Sequence, residues 1–309
     1  MLKRTLLIQS PCHLKLANEQ LVVSYKQVPS LAGKADRTVP IEDIGLLVLE
    51  HQQITITHYV LAALAAANVA VVCCNEQHHP NGMLLPLDGH TLISERFRAQ
   101  IEATEPLKKQ IWQQTVKAKI ANQATVLQHW GGPANWLMQL SQQVKSGDSD
   151  NYEAQAAAHY WQHLFPAAWQ FFRKREGPPP NNLLNYGYAI IRATMARAIV
   201  GAGLLPTLGV FHRNRYNAYC LADDMMEPYR PFVDMVVRTI IHQTSVVDTL
   251  TQEHKNKLLQ VLQTDVIINK EKSPLLVAMQ KTAYSLAKCY QGELRKVSFP
   301  NIIIPTEAA

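Results

Sequence analysis

Short apolar runs separated by turn residues fill the first third of the chain. Leu21-Val22-Val23-Ser24-Tyr25, Ile44-Gly45-Leu46-Leu47-Val48-Leu49 and Val69-Ala70-Val71-Val72-Cys73-Cys74 are β-branched or aliphatic stretches of strand length. Ile54-Thr55-Ile56-Thr57 alternates with the period of two that turns one face of a strand inward. Between these runs, His58 to Asn68 is rich in Ala and Leu and predicts a helix. Pro80-Asn81-Gly82 predicts a turn, and Leu84-Leu85-Pro86-Leu87-Asp88-Gly89 a connector. The pattern changes at Ser94. Helical period with few β-branched clusters runs through 94–129, 134–145, 151–172, 181–203, 217–245 and 272–290. Gly131-Gly132-Pro133, Ser146-Gly147-Asp148-Ser149 and Gly177-Pro178-Pro179-Pro180 break it, and from Val297 the chain reads as a strand or a docking tail. The pattern predicts an α+β protein without internal repeats. A small N-terminal β-rich domain (1–86) is joined by a linker (87–93) to a larger all-α helical domain (94–296), and residues 297–309 form a tail.

Composition narrows the class. Of 309 residues, 47% are hydrophobic and 17% charged, which is the balance of a folded globular chain. A formal charge of +6 is compatible with a polyanion partner without demanding one. The cysteines (12, 73, 74, 220 and 289) are odd in number and form no CxxC, so neither a disulfide framework nor a zinc ribbon is indicated. A reducing cytosol, hence a cytoplasmic protein, fits that usage. Met1-Leu2-Lys3-Arg4 and Thr5-Leu6-Leu7-Ile8 mimic a signal start, but the apolar run stops at Gln9, and no uninterrupted stretch is long enough to span a membrane. There is no GxxxxGK[ST] and no HExxH, and a dinucleotide fingerprint fails at Gly201-Ala202-Gly203-Leu204-Leu205-Pro206. Cys73, Cys74, His78, His79 and His90 match no zinc spacing, and packing is the simpler reading of the two strand-end cysteines.

One stretch stands out chemically. His212-Arg213-Asn214-Arg215-Tyr216-Asn217 runs into Leu221-Ala222-Asp223-Asp224-Met225-Met226-Glu227-Pro228-Tyr229-Arg230-Pro231. On a helix Asp223 and Glu227 share a face that Arg230 and Asp234 continue. Carboxylates beside a neutral imidazole suit Mg²⁺ or Mn²⁺, and flanking arginines suit phosphate. The simpler reading is a helix start with ordinary acidic residues in its first turn. Glu153 stands among alanines in Asn151-Tyr152-Glu153-Ala154-Gln155-Ala156-Ala157-Ala158, next to Tyr160 and Trp161, and alone reads equally as a solvated residue near a helix N-terminus. Asn185, Tyr188 and Arg192 form one polar stripe in an apolar helix, either contacting a phosphate or closing an interhelical network.

Taken in order, Glu153 in its Ala-rich helix, Asn185-Tyr186-Gly187-Tyr188-Ala189, His212-Arg213-Asn214 and the segment from Leu221 to Pro231 resemble the CRISPR adaptation integrases. These are the first of the two universal CRISPR adaptation proteins, and the wording of the segments is most similar to the type II branch. The resemblance spans the whole chain, including the β-then-α layout and the connector Met83-Leu84-Leu85-Pro86-Leu87. It implies a metal-dependent DNA endonuclease and integrase that inserts spacers by attack of 3′-hydroxyls on repeat phosphodiesters. The implied metal is Mg²⁺ or Mn²⁺, held by Glu153, His212 and an acidic third ligand. Glu227 matches that third position best, with Asp223 as the alternative or as support for a metal-bound water. The implied partners are double-stranded DNA (spacer duplex and repeat), a second copy in a homodimer, and the second universal adaptation protein, with no membrane. Arg192, Arg213, Arg215 and Arg230 are the expected DNA contacts, and Asn185 and Tyr188 the expected supports of the site. The competing expectation is a non-catalytic DNA-binding scaffold of the same fold, which would shift DNA but transfer no strand with or without EDTA. A generic zinc hydrolase is the third reading, and metal analysis would test it.

Overall fold

The computed structural model describes residues 3–25, 31, 33–78, 80–86, 90–244 and 248–304. The chain forms two units, Met1–Ile93 and Ser94–Ala309.

The first unit holds two four-stranded sheets. One is ordered β1 (Arg4–Ile8), β5 (Ile44–Leu49), β7 (Ala70–Cys74), β8 (Pro80–Leu84). Its first three strands are parallel and β8 returns antiparallel. The other is ordered β4 (Arg37–Pro40), β3 (Gln20–Ser24), β2 (Cys12–Ala17), β6 (Ile54–Ile56), antiparallel except where β6 runs parallel to β2. Helix α1 (His58–Ala66) starts where the Thr57 side chain accepts the Val60 amide. A single core joins the sheets and the helix: Leu14, Leu21, Leu47, Val60, Leu64 and Val71 are all within it. Two sequence readings change. The signal-like Thr5-Leu6-Leu7-Ile8 is strand β1, paired with β5, and Pro80-Asn81-Gly82 opens strand β8 instead of turning. Pro80 is the first residue of an edge strand, where its missing N–H costs no ladder bond. The connector reaches residues 87–89, which lie outside the described residues, as does His79.

The second unit is built on helices α2 (Ile93–Ile101), α3 (Glu105–His129), α4 (Asn135–Gln143), α5 (Tyr152–Leu164) and α6 (Asn181–Gly201). They are followed by α7 (Cys220–Met226), α8 (Arg230–Gln243), α9 (Gln252–Gln260) and α10 (Leu275–Tyr290). Helix α3 packs against α4, α5 and α8, and α6 lies between α10 and the α7–α9 group. Helix α6 is apolar nearly all round and buried accordingly. It closes at Gly203, whose φ is 70°. The Gly203 N–H donates to Val200 O and the Leu204 N–H to Ile199 O, which satisfies carbonyls of the last turn.

The expected helices divide at identifiable residues. The 94–129 stretch breaks before Thr104, which caps the Leu107 amide and precedes Pro106 in the first turn of α3. The 151–172 stretch ends at Leu164, just before Pro166. The 217–245 stretch splits into α7 and α8 around the 3-10 turn Glu227–Tyr229, with Pro228 and Pro231 flanking the join. The helical domain is also not purely helical. Strand β9 (Asp265–Ile268) pairs antiparallel with β10 (Glu271–Pro274) and with β11 (Asn301–Ile302). Val266-Ile267-Ile268 is a short β-branched run, and Asn269 and Lys270, both at positive φ, make the hairpin turn.

Candidate metal centre

Glu153 is placed by the start of α5. Asn151 adopts a left-handed φ of 54°, and both Asp148 oxygens accept amides of the first turn, from Tyr152 (2.9 Å) and Glu153 (3.0 Å). The Glu153 side chain then reaches Lys119 of α3, with Oε1 2.6 Å from Nζ. The same Nζ stands 2.6 Å from Glu227 Oε2, and Arg230 Nε stands 2.8 Å from the other oxygen, Oε1. One ammonium therefore bridges two carboxylates that come from α5 and from the turn between α7 and α8. Burial opposes ionisation of Glu227, but the Arg230 and Lys119 charges outweigh it and hold the carboxyl below its ordinary range. Burial likewise opposes charging of Lys119, and Glu227 with Glu153 outweighs it and raises the ammonium's pKa.

His212 is held by a carboxylate that sequence reasoning passed over. Asp224 is fully buried and accepts the amides of Val210 (2.6 Å), Phe211 (2.9 Å) and His212 (3.3 Å). It also meets His212 Nδ1 at 2.5 Å. Phe211 stacks on buried Trp112 with ring centroids 4.3 Å apart, and the His212 ring stands edge-on to the same indole at 5.8 Å. The hydrogen bond to Asp224 raises the His212 pKa, burial opposes it, and the charges of Asp224, Glu227 and Glu153 add to the rise. The field of both bridged glutamates thus reaches this ring. With Nδ1 engaged, Nε2 is the nitrogen left for a ligand, the arrangement in which a carboxylate fixes the tautomer of a metal-binding imidazole.

The other expected residues divide into supports and bystanders. Asp223 is paired with Arg192 (Nε to Oδ1, 2.7 Å) and accepts from Asn217 (2.6 Å); it does not touch His212. The two neighbours Asp223 and Asp224 point apart because α7 begins at Cys220, a phase the sequence does not reveal. Tyr188 and Tyr160 donate to the two oxygens of Asp234, a buried carboxyl pushed up to about 7 by burial. The Tyr188 ring also lies 4.6 Å under the Arg230 guanidinium, so Tyr188 and Asp234 support Arg230 and, through it, Glu227. Asn185 belongs elsewhere: it accepts from Arg173 (2.9 Å) and donates to the Arg175 carbonyl (2.6 Å). Arg213 is paired with Glu105 at 2.7 Å, and Arg215 contacts Tyr216. A pocket of about 450 Å³ is lined by His212, Arg213, Arg215, Lys108 and Glu105.

The donor set fits a hard divalent cation. Two carboxylates already contact one cationic group, and an imidazole locked through its other nitrogen lies within their field. The three side chains are not drawn into a closed ligand set. Among the described residues, no group of three His, Cys, Asp or Glu side chains is close enough to hold a metal ion. Lys119 had no signal in sequence. It lies in a Gln- and Lys-containing helix whose polar residues look solvated, and only packing against α5 and the Glu227 turn buries it.

Known proteins share this architecture and sequence. A family model described as CRISPR associated protein Cas1 matches residues 6–270. The CRISPR-associated endonuclease Cas1 of Neisseria meningitidis serogroup C (strain 8013) is 36% identical over 303 residues, which cover 97% of this chain and 96% of the relative. Among solved structures, a casposase bound to integration product aligns with a TM-score of 0.77 at 19% identity, covering 95% of this chain and 92% of that one. A Cas6-RT-Cas1–Cas2 complex aligns with a TM-score of 0.70 at 20% identity, covering 95% of this chain and 35% of that one. At these identities the structural likeness is one of fold.

Proposed function

This chain belongs to the CRISPR-associated Cas1 family, and from that premise we propose that it is a divalent-metal-dependent DNA endonuclease and integrase of CRISPR adaptation. The observation that carries the reading is the meeting of Glu153 and Glu227 on one cation, together with an Asp224-held imidazole, His212, that feels the charge of both. Glu153, Glu227 and His212 Nε2 would hold Mg²⁺ or Mn²⁺. When bound, the ion supplies Lewis-acid activation of a hydroxyl and stabilisation of charge on the phosphoryl oxygens. The chain's own residues do the rest. Asp224 keeps the His212 ring in one tautomer and orientation. Arg230 neutralises one oxygen of Glu227 and fixes its rotamer, and Lys119 sets the spacing of the two carboxylates. Asp223 is assigned to Arg192, not to the ligand set.

Double-stranded DNA is the proposed substrate, in keeping with a fold shared with a casposase bound to integration product. Arg213 and Arg215, at the pocket that contains His212, are the proposed phosphate contacts there. Arg192 and Arg230 are assigned to their carboxylates instead. A homodimer and a complex with the second adaptation protein are the proposed assembly, the latter because a fold relative is a complex containing Cas1 and Cas2. Strand transfer from a 3′-hydroxyl duplex into a branched repeat substrate tests the reading. Transfer should require Mg²⁺ or Mn²⁺, stop with EDTA, and stop in His212→Ala while duplex binding persists. Binding without transfer under every metal condition would establish the scaffold instead.

A further inference from the structure

We propose that the groove bounded by α3, α4 and the segment after α10 is a second site for the DNA backbone, on the opposite face of α3 from the metal centre; the inference rests on DNA being a ligand of this chain. The groove measures about 720 Å³, and Gln110, Lys117, Gln142, Arg295, Lys296 and Phe299 are among the residues that line it. Gln110, Gln114, Lys117 and Ala121 follow helical spacing along one stripe of α3. Lys119, which contacts Glu153 and Glu227, is two positions from Lys117, and two positions on a helix turn the side chain to the far side. The two sites are therefore separate surfaces of one helix.

Charge separates this groove from the expected arginine path. Arg192 and Arg230 are each spent on a carboxylate, and Arg213, beside His212, shares its charge with Glu105 in an exposed pair. Among the described residues, the side chains of Lys117, Arg295 and Lys296 form no ion pair, and the groove lining contains no Asp or Glu. Three uncompensated cations in one concave surface are what a run of phosphates requires.

The groove is also pre-formed. Gln114 of α3 grips the cation-bearing segment twice, donating to the Arg295 carbonyl (3.3 Å) and accepting the Val297 amide (2.9 Å). The Ser298 amide donates to Ser285 Oγ of α10 at 2.9 Å, so the backbone beside Arg295 and Lys296 is fixed before any ligand arrives. Arg295 and Lys296 themselves are exposed, as are the Gln110 and Gln142 side chains, whose amides can donate to phosphate and sugar oxygens. Such interactions position a duplex without reading its sequence.

The test uses the full-length protein with Lys117, Arg295 and Lys296 all changed to Gln, alongside the single variant Lys296→Gln. Binding of an unrelated 30-base-pair duplex, with EDTA present, is followed by fluorescence anisotropy over a salt series. The triple variant should flatten the log–log salt slope by about 3 units and the single variant by about 1, since each cation removed leaves one phosphate without its partner. Circular dichroism and the Mn²⁺-induced thermal shift should match wild type, because the metal centre lies on the other face. Wild-type salt dependence in both folded variants would overturn the inference, whatever the fate of the strand-transfer reading. Unchanged DNA binding together with lost binding to the second adaptation protein would overturn it in favour of a protein-docking surface. A wild-type protein that bound no duplex at all would overturn the inference and the DNA-directed function together, whereas failure of strand transfer with the slopes as expected would remove only the latter.

Discussion

Two kinds of residue make the candidate centre, those that offer lone pairs and those that hold them in place. The first kind, proposed to be Glu153, His212 and Glu227, was suggested by the sequence through the ligand types it offers and their resemblance to the family's motif order. The second kind was not. Asp224 reads as an ordinary acidic residue of a first helical turn, and Lys119 carries no signal in its Gln- and Lys-containing helix. Each now yields an expectation. Lys119→Met leaves Glu153 facing Glu227 with only Arg230 to compensate, and removing one partner of a buried pair strands the remaining charge. The variant should melt earlier than wild type in EDTA and recover by a larger Mn²⁺-induced shift, read by differential scanning fluorimetry. An equal shift in both proteins would mean that the ammonium and the metal do not share the carboxylates. His212 gives a pH dependence. Its folded pKa lies above the ordinary 6.5 because of Asp224. Protonated His212 therefore stabilises the metal-free fold fully below the unfolded pKa, and that contribution is lost as pH rises through the folded value. Metal binding has the opposite sign, since a ligating imidazole must be neutral, so Mn²⁺ affinity should climb through the same raised pKa. Asp224→Asn should move that climb to lower pH in calorimetric titrations, and Asp223→Asn should leave it in place.

At the scale of elements, regular periodicity located the strands at 44–49 and 70–74 and most of the helices, whereas their ends depended on single residues. Thr104 ends one helix and caps the next, and Pro228 with Pro231 turns one apparent helix into two. Helix α9 and strand β9 escaped notice because both are short and stand alone in the pattern. The turn that carries His212 depends on a glycine for the same kind of local reason. A Cβ at Gly209 would press on the His212 carbonyl oxygen and stand 2.9 Å from Asp224 Oδ2 and 3.0 Å from Cys220 Cβ. Gly209→Ala must therefore push the turn away from the carboxylate that gathers the Val210, Phe211 and His212 amides. Destabilisation of about 1–3 kcal/mol is expected, by the ordinary cost of overpacking, with weaker Mn²⁺ binding alongside it. Gly187→Ala offers the comparison. Its Cβ would collide with Val233 and force α6 from α8, far from the His212 turn in sequence. It should lower the melting temperature to a similar degree. A Gly209→Ala protein that lost stability but bound Mn²⁺ as tightly as wild type would show that the turn is not what aims the imidazole.

At the scale of the whole molecule, the division of labour follows from where the chemistry sits. Lys119, Glu153, His212, Asp224, Glu227 and Arg230 all belong to the unit Ser94–Ala309, and so do the hydrogen bonds and ion pairs that hold them. That unit has its own core, with Trp112, Tyr160, Tyr186 and Tyr229 fully buried in it. The Met1–Ile93 unit has another, made where its two sheets and α1 meet. The change from strand to helix period near residue 94 was visible in the sequence because each unit buries its own apolar face by a different periodicity. Assembly was not visible, since an interface between copies leaves no period of its own. A chain reduced to residues 94–309 should therefore fold, give a helix-dominated circular dichroism spectrum, and keep the Mn²⁺-induced thermal shift of the full-length protein. If the N-terminal unit carries dimerisation, as the family resemblance implies, the shortened chain should run as a monomer in light scattering. Paired strand transfer at the two ends of a spacer duplex should then be lost, while the salt-dependent affinity contributed by Lys117, Arg295 and Lys296 remains. A shortened chain that stayed dimeric would move the interface into the helical unit. Loss of the Mn²⁺ shift in a well-folded shortened chain would mean that the metal centre needs the first ninety-three residues, although every side chain assigned to it lies beyond them.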